Sequence, residues 1–172
     1  LQDWTQDREQ ALLSLKMKFR AGIKARYYDA LMLAAQKLGE CESGRRIVVL
    51  VSDGIDSASK ARAQQAMTAL ARAQATIFVV SWTELLRREI KKALEWSGAH
   101  ESQNSASMKR ADELRQFVRH LDAPEFELQR MAEQSGGEMW LPDSFEMFVI
   151  TPRKILEEIG AQYTLTFVAE RE

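Results

Sequence analysis

Apolar residues recur along this chain with two different periods, and the switches between them predict its elements. Leu12, Leu15 and Phe19 stand at three- and four-residue spacing behind Thr5 and Asp7, so a helix is expected from about Asp7 to Phe19, ended by Gly22. A second helix, Tyr28 to Leu38, puts Leu31, Ala34, Ala35 and Leu38 on one face and stops at Gly39. The run Ile47-Val48-Val49-Leu50-Val51 has no polar alternation, which predicts a strand covered on both faces of a parallel sheet. It ends in Ser52-Asp53-Gly54.

After that turn, Ser57 or Ser59 is placed to cap a helix through about Ala73, with Ala63, Ala66, Leu70 and Ala73 facing inward. Thr76 to Trp82, around Ile77-Phe78-Val79-Val80, is a second buried strand, and the order strand, helix, strand reads as a βαβ unit. From Glu84 to Ala123 the pattern loosens. Helical segments from Glu84 to Trp96 and from Met108 to Leu121 flank a Ser/Asn/Gly stretch without apolar period, and the block has the look of an insertion. Pro124 then opens a helix to Ser135, Gly136-Gly137 turns the chain, and Glu138 to Leu141 is a short strand. A last helix is expected between Ser144 and Ile159, broken or restarted at Thr151-Pro152. Gln162 to Ala169 alternates Tyr163, Leu165 and Phe167 with Thr164, Thr166 and Val168, predicting a strand at or near a sheet edge.

Composition narrows the class. With 172 residues, 45% of them hydrophobic, one domain has enough chain to bury about 70% of its unfolded surface without staples. The charges nearly cancel, 24 Lys+Arg against 25 Asp+Glu, and no long basic run exists, which removes the main electrostatic argument for nucleic acid. Cys41 is the only cysteine, so neither an internal disulfide nor a cysteine zinc site can form. No apolar stretch approaches the ~18 residues of a membrane span.

The candidate chemistry sits in Ser52-Asp53-Gly54-Ile55-Asp56. In parallel sheets ligands gather where strands end, and Asp53, Asp56 and Ser57 there offer oxygen ligands suited to a hard cation such as Mg²⁺. The plain alternative is that Asp53 or Asp56 merely forms a turn or caps the next helix.

Taken together, several segments resemble the von Willebrand factor type A domain, in the branch found in secreted or envelope proteins of acidobacteria and related bacteria. They are Leu1 to Thr5 with Asp7-Arg8-Glu9, Tyr28-Asp29-Ala30-Leu31, Arg46 to Asp56, Leu128 to Gly137, and Ile159 to Leu165. The resemblance covers all but roughly Glu84 to Ala123. It implies an α/β, doubly wound, mostly parallel sheet flanked by helices, Rossmann-like, with 1–172 as a single incomplete domain and 84–123 inserted in it. It also implies protein binding or adhesion at a metal-ion-dependent adhesion site, and a secreted or cell-envelope location.

Of that site's three elements only the Asp of the Ser-Asp-Gly turn is matched, by Asp53. The family's Thr before the Tyr-Asp-Ala-Leu helix falls on Ala25, between Lys24 and Arg26, and its Asp-x-Ser-x-Ser motif has no counterpart in the chain. Lys24 and Arg26 either place positive charge near Asp53 in the cation's stead or are exposed loop charges. In the family the missing motif follows a strand beside Arg46 to Val51. The resemblance therefore implies that the sheet lacks its first strands, to be supplied by the same polypeptide or by a partner chain.

The expected function is a non-enzymatic protein-interaction or adhesion module with a degenerate or incomplete adhesion site. Its metal residue would be Asp53, with no cofactor held by this chain alone and Mg²⁺ only if the missing motif is present elsewhere. The partner would be another protein, with no nucleic acid and no membrane span. In the insertion, Leu85, Leu86, Ile90, Leu94 and Trp96 form a stripe that either faces that partner or packs on its own domain. The alternative is a metal-assisted hydrolase or phosphoryl-transfer enzyme using Asp53 and Asp56. It lacks a Walker-type phosphate loop, a Gly-x-Gly-x-x-Gly and a Gly-x-Ser-x-Gly elbow, and His100 and His120 lie far from Asp53 in sequence.

Overall fold

A computed structural model describes residues 4–18, 24–100 and 105–161. The expected strand at Gln162 to Ala169 lies outside the described residues. Asp7 caps the first helix, α1 (Arg8–Lys18), its carboxylate accepting from the amides of Glu9 and Gln10 at 2.8 and 3.2 Å. Then follow α2 (Tyr27–Gly39), β1 (Arg46–Ser52), α3 (Ala63–Arg72), β2 (Ala75–Ser81), α4 (Thr83–His100), α5 (Ser105–His120), α6 (Asp122–Gln134), β3 (Met139–Trp140) and α7 (Phe145–Ala161). The strands form one open parallel sheet in the order β1-β2-β3, with Arg46 opposite Ala75, Ser52 opposite Ser81 and Val80 opposite Trp140. The molecule is thus α/β with helices on both faces of a parallel sheet, an arrangement compatible with a Rossmann-like fold.

β2 is the strand covered on both sides. Ile77 and Val79 pack with Leu31, Leu38, Leu70, Leu128 and Met131 from α2, α3 and α6. Phe78 and Val80 point the other way, against Ile155 and Phe148 of α7 and Trp140 of β3. None of these four strand residues is more than 2% exposed, and each contributes about 1.5–3 kcal/mol of transfer free energy.

β1 corrects the expectation from its unbroken apolar run. Val48 and Leu50 join the α2/α3 side, but on the opposite face only Ile47 reaches the α7 cluster, leaving Val49 and Val51 49% and 57% exposed. α7 spreads over β2 and β3 and does not reach the upper half of β1, which is an edge strand among the described residues. A continuous apolar run and its coverage are separate matters: the run records what the strand is suited to, the helices decide what it receives.

Several boundaries also move. α3 starts at Ala63 rather than at Ser57 or Ser59, because both hydroxyls are engaged by the chain before and within α2. α4 runs on to His100, past Trp96, and α5 begins at Ser105. α6 starts at Asp122, with Pro124 in a first turn where free amides have no helical partner to lose. α7 continues through Pro152 without the expected break, Thr151 Oγ1 donating to Met147 O at 2.8 Å beside the missing amide. Among the described residues no helix is long and apolar enough to cross a membrane.

Two glycines set close approaches. Gly54, with φ +77°, would place a Cβ 2.9 Å from Pro124 Cβ, so the turn after β1 lies directly on α6. A Cβ on Gly137 would fall 1.9 Å from Ile77 O, in the backbone of β2 itself. Gly137→Ala should therefore lower the unfolding free energy by at least about 2 kcal/mol in urea titration. Gly98→Ala, in α4 with nothing within 4 Å, should raise it by about 0.5–1 kcal/mol. Equal effects of the two substitutions would contradict this packing.

Candidate functional site

The carboxyl ends of β1 and β2 carry two polar clusters. The first is built where the loop after β1 meets the start of α2. Arg26, the residue preceding α2, gives no side-chain cap, so the first-turn amides of the helix need partners from elsewhere. They come from across the loop: Tyr28 N donates to Asp56 Oδ2 at 3.3 Å, and Asp29 N donates to Ser59 Oγ at 3.1 Å. In return Asp29 accepts from the amides of Lys60 and Ala61 at 3.0 and 2.9 Å. Ala25 closes the contact, its amide donating to Ser57 Oγ at 3.0 Å and its carbonyl accepting from the amides of Ser57 and Ala58, both at 3.1 Å. Loop 53–62 and α2 thus cap one another through two carboxylates.

Asp56 is fully used in this latch. Its Oδ1 accepts from the amides of Ala58 and Ser59 at 3.2 and 2.9 Å, and its Oδ2 accepts from Tyr28 N and from the Ser59 hydroxyl at 2.6 Å. A carboxylate offers about four lone-pair positions, so none is left over for a metal or a substrate proton. Burial works against the Asp56 charge, but the bonds from Ser59, Tyr28 and Ala58 outweigh it and hold its pKa below the usual carboxylate range. Asp29 is lowered as well, by the amides of Ala61 and Lys60 and then, against some desolvation, by nearby Arg26.

Asp53 stands differently. Its Oδ1 accepts from Ile55 N at 3.0 Å, an Asx turn that forms the corner after β1, and among the described residues its other oxygen has no protein donor. Lys24 and Arg26 are exposed, and among the described residues neither is paired with Asp53. Mg²⁺ takes about six oxygen ligands in near-octahedral geometry. Among the described residues no group of three or more His, Cys, Asp or Glu is placed to hold a metal, and Asp53 belongs to no such group. The structure brings Asp56, Ser57, Ser59 and Asp29 together and leaves Asp53 at their margin.

The second cluster, at the end of β2, joins residues that are dispersed in the sequence. Ser81 and Thr83 are fully buried, with their hydroxyls 3.1 Å apart, and Thr83 Oγ1 donates to Glu125 Oε2. Arg87 binds that same oxygen and also Asp122 Oδ1 at 2.7 Å. Burial disfavours the Arg87 charge, and the bonds to Glu125 and Asp122 more than offset it, raising its pKa. These contacts fasten α4 and α6 to the sheet. The visible signal in the sequence was Ser81, a hydroxyl at the end of an apolar strand, followed by Thr83; their partner 42 residues on gave none.

No family model matches the chain, and no curated protein or solved structure matches it either.

The latch predicts an acid limb of stability. Asp29 and Asp56 have lower pKa values folded than unfolded, so below the ordinary carboxylate range the unfolded chain takes up protons first. Their stabilisation is present above about pH 4 and is lost as pH falls toward the folded values. Asp56→Asn combined with Asp29→Asn should flatten the stability profile between about pH 2 and 5. Asp56→Ala alone should cost about 1–2 kcal/mol at pH 7 in urea unfolding. An unchanged acid limb in the double variant would refute the latch.

Proposed function

We propose that this chain is a non-enzymatic protein-recognition module of von Willebrand factor A type with a degenerate metal-ion-dependent adhesion site. The observation that carries the reading is the saturation of Asp56. Loops at the carboxyl edge of a parallel sheet are where such domains meet ligands, and here the loop's carboxylates are spent on holding its shape. What remains is a rigid polar surface: Lys24, Arg26, Ser57 and Lys60 are exposed and Asp53 is half-exposed, all on segments tied to α2 or β1. A partner can read that charge pattern from side chains carried on a backbone that the latch holds in place.

In this reading Asp53 is the one retained element of the adhesion site and holds no cation by itself. Mg²⁺ would enter only if the Asp-x-Ser-x-Ser motif were supplied from outside the chain. The edge of β1 that has no strand partner among the described residues, with Val49 and Val51 beside it, is where the sheet would be extended by a strand of the same polypeptide or of a partner chain. The hydrolase or phosphoryl-transfer alternative needs Asp56 as a free base or ligand, and its oxygens are already filled by Ala58, Ser59 and Tyr28.

Binding of a partner isolated on the immobilised chain tests this. The double substitution Lys24→Glu, Arg26→Glu should weaken binding roughly tenfold or more, while Arg153→Glu on α7 should leave it unchanged. EDTA should have no effect on the chain alone. Binding indifferent to the Lys24 and Arg26 reversal, or a hydrolytic activity abolished by Asp53→Ala or Asp56→Ala, would overturn it.

A further inference from the structure

α4 and α5 lie against each other, and the groove along one side of the pair has a volume of about 490 Å³. On α4 the pairs Arg87/Ile90, Arg87/Lys91, Ile90/Leu94 and Lys91/Leu94 are three or four residues apart, and on α5 so are Arg115/Val118 and Arg115/Arg119, so each set lies along a single helix face. Ile90, Leu94 and Val118 form a half-buried apolar floor, and Lys91, Arg115 and Arg119 stand exposed around it. Arg87 is committed to Glu125 and Asp122. Arg115 pairs only with Asp112 on its own helix, both side chains more than half exposed, and such a pair contributes little. Among the described residues Lys91 and Arg119 form no ion pair.

We infer that this groove is a docking site for an acidic amphipathic helix of a partner protein. The pattern on the two helices is that of a seam awaiting a third: apolar residues spaced for ridges-into-grooves packing, with cations where the flanks of an incoming helix would lie. The charge is local, because the chain as a whole carries only −1, and it selects Asp or Glu flanks over Lys or Arg. An anionic membrane fits less well. Its surface is broad, whereas the apolar residues here are half-buried between exposed cations and offer little free apolar area for insertion. The inference deepens the protein-recognition reading, but it depends on neither Asp53 nor the loop before α2.

The test uses the full chain and two displayed libraries of helical peptides about 15 residues long, enough for four turns. Both vary Leu, Ile, Val, Met and Phe at seam positions; one carries Asp and Glu on the flanks and the other Lys and Arg. The acidic library should enrich and the basic one should not. Lys91→Glu with Arg119→Glu should weaken the selected acidic peptides roughly tenfold or more and make the basic library the one that enriches. Lys24→Glu with Arg26→Glu should leave these peptides unaffected, which separates failure here from failure of the carboxyl-edge reading. No enrichment from either library, equal enrichment from both, or binding that survives the Lys91 and Arg119 reversal would overturn the proposal. So would concentration-dependent self-association that the same reversal abolishes, or tight binding to phosphatidylserine vesicles without peptide binding.

Discussion

The complete burial of β2 is the constraint on which the other elements depend. Ile77, Phe78, Val79 and Val80 alternate between two apolar clusters, so helices are required on both faces, and α2, α3 and α6 on one side and α7 on the other meet that requirement. The strand also dictates local chemistry at its ends. At its start, Gly137 comes so close to Ile77 that no side chain fits, and Ser135 Oγ accepts the Ile77 amide at 2.8 Å. At its finish, the buried hydroxyls of Ser81 and Thr83 call for a polar partner, which Glu125 provides while Arg87 neutralises its charge. α4 and α6 are held in place by that need as much as by apolar contact.

Beside this fixed strand, the carboxyl edge of β1 acquires its shape from carboxylates. A helix whose preceding residue offers no cap leaves amides exposed, and the mutual exchange between Asp56, Ser59 and α2, and between Asp29 and loop residues 60 and 61, removes that deficit without any bond within the helix. Saturated carboxylates are poor ligands and poor bases, and the proposed reading as a binding surface rests on that. The helical pair α4 and α5 gives the molecule a second surface, chemically unlike the first: an apolar floor with cations around it, against a polar edge of fixed loops.

The α/β class, the buried strand at Ile77 to Val80 and the order of helices and strands were legible because period and run length report burial directly. Coverage of β1 was not, since a run of Val and Ile is the same whether or not a helix lies over it. Pro152 misled because a proline removes one helical amide without necessarily ending the helix, and α7 continues through it. At the site, the alternative in which Asp56 serves as a cap was visible, but the helix it caps precedes it in sequence, and the reciprocal role of Asp29 with Lys60 and Ala61 lies 31 and 32 residues apart with no local pattern to announce it. The resemblance to the von Willebrand factor A family rests on motif order, which the structure leaves as it was.

Carbon-13 NMR titration of the side-chain carboxyls of Asp29, Asp53 and Asp56, with and without Mg²⁺, probes the central claim most directly. Carboxylates spent on structure should titrate below the ordinary range at Asp29 and Asp56 and should not move when Mg²⁺ is added. An Asp56 that titrates as an exposed carboxyl, or shifts saturably with Mg²⁺ together with Asp53, would show a working cation site where a latch is described.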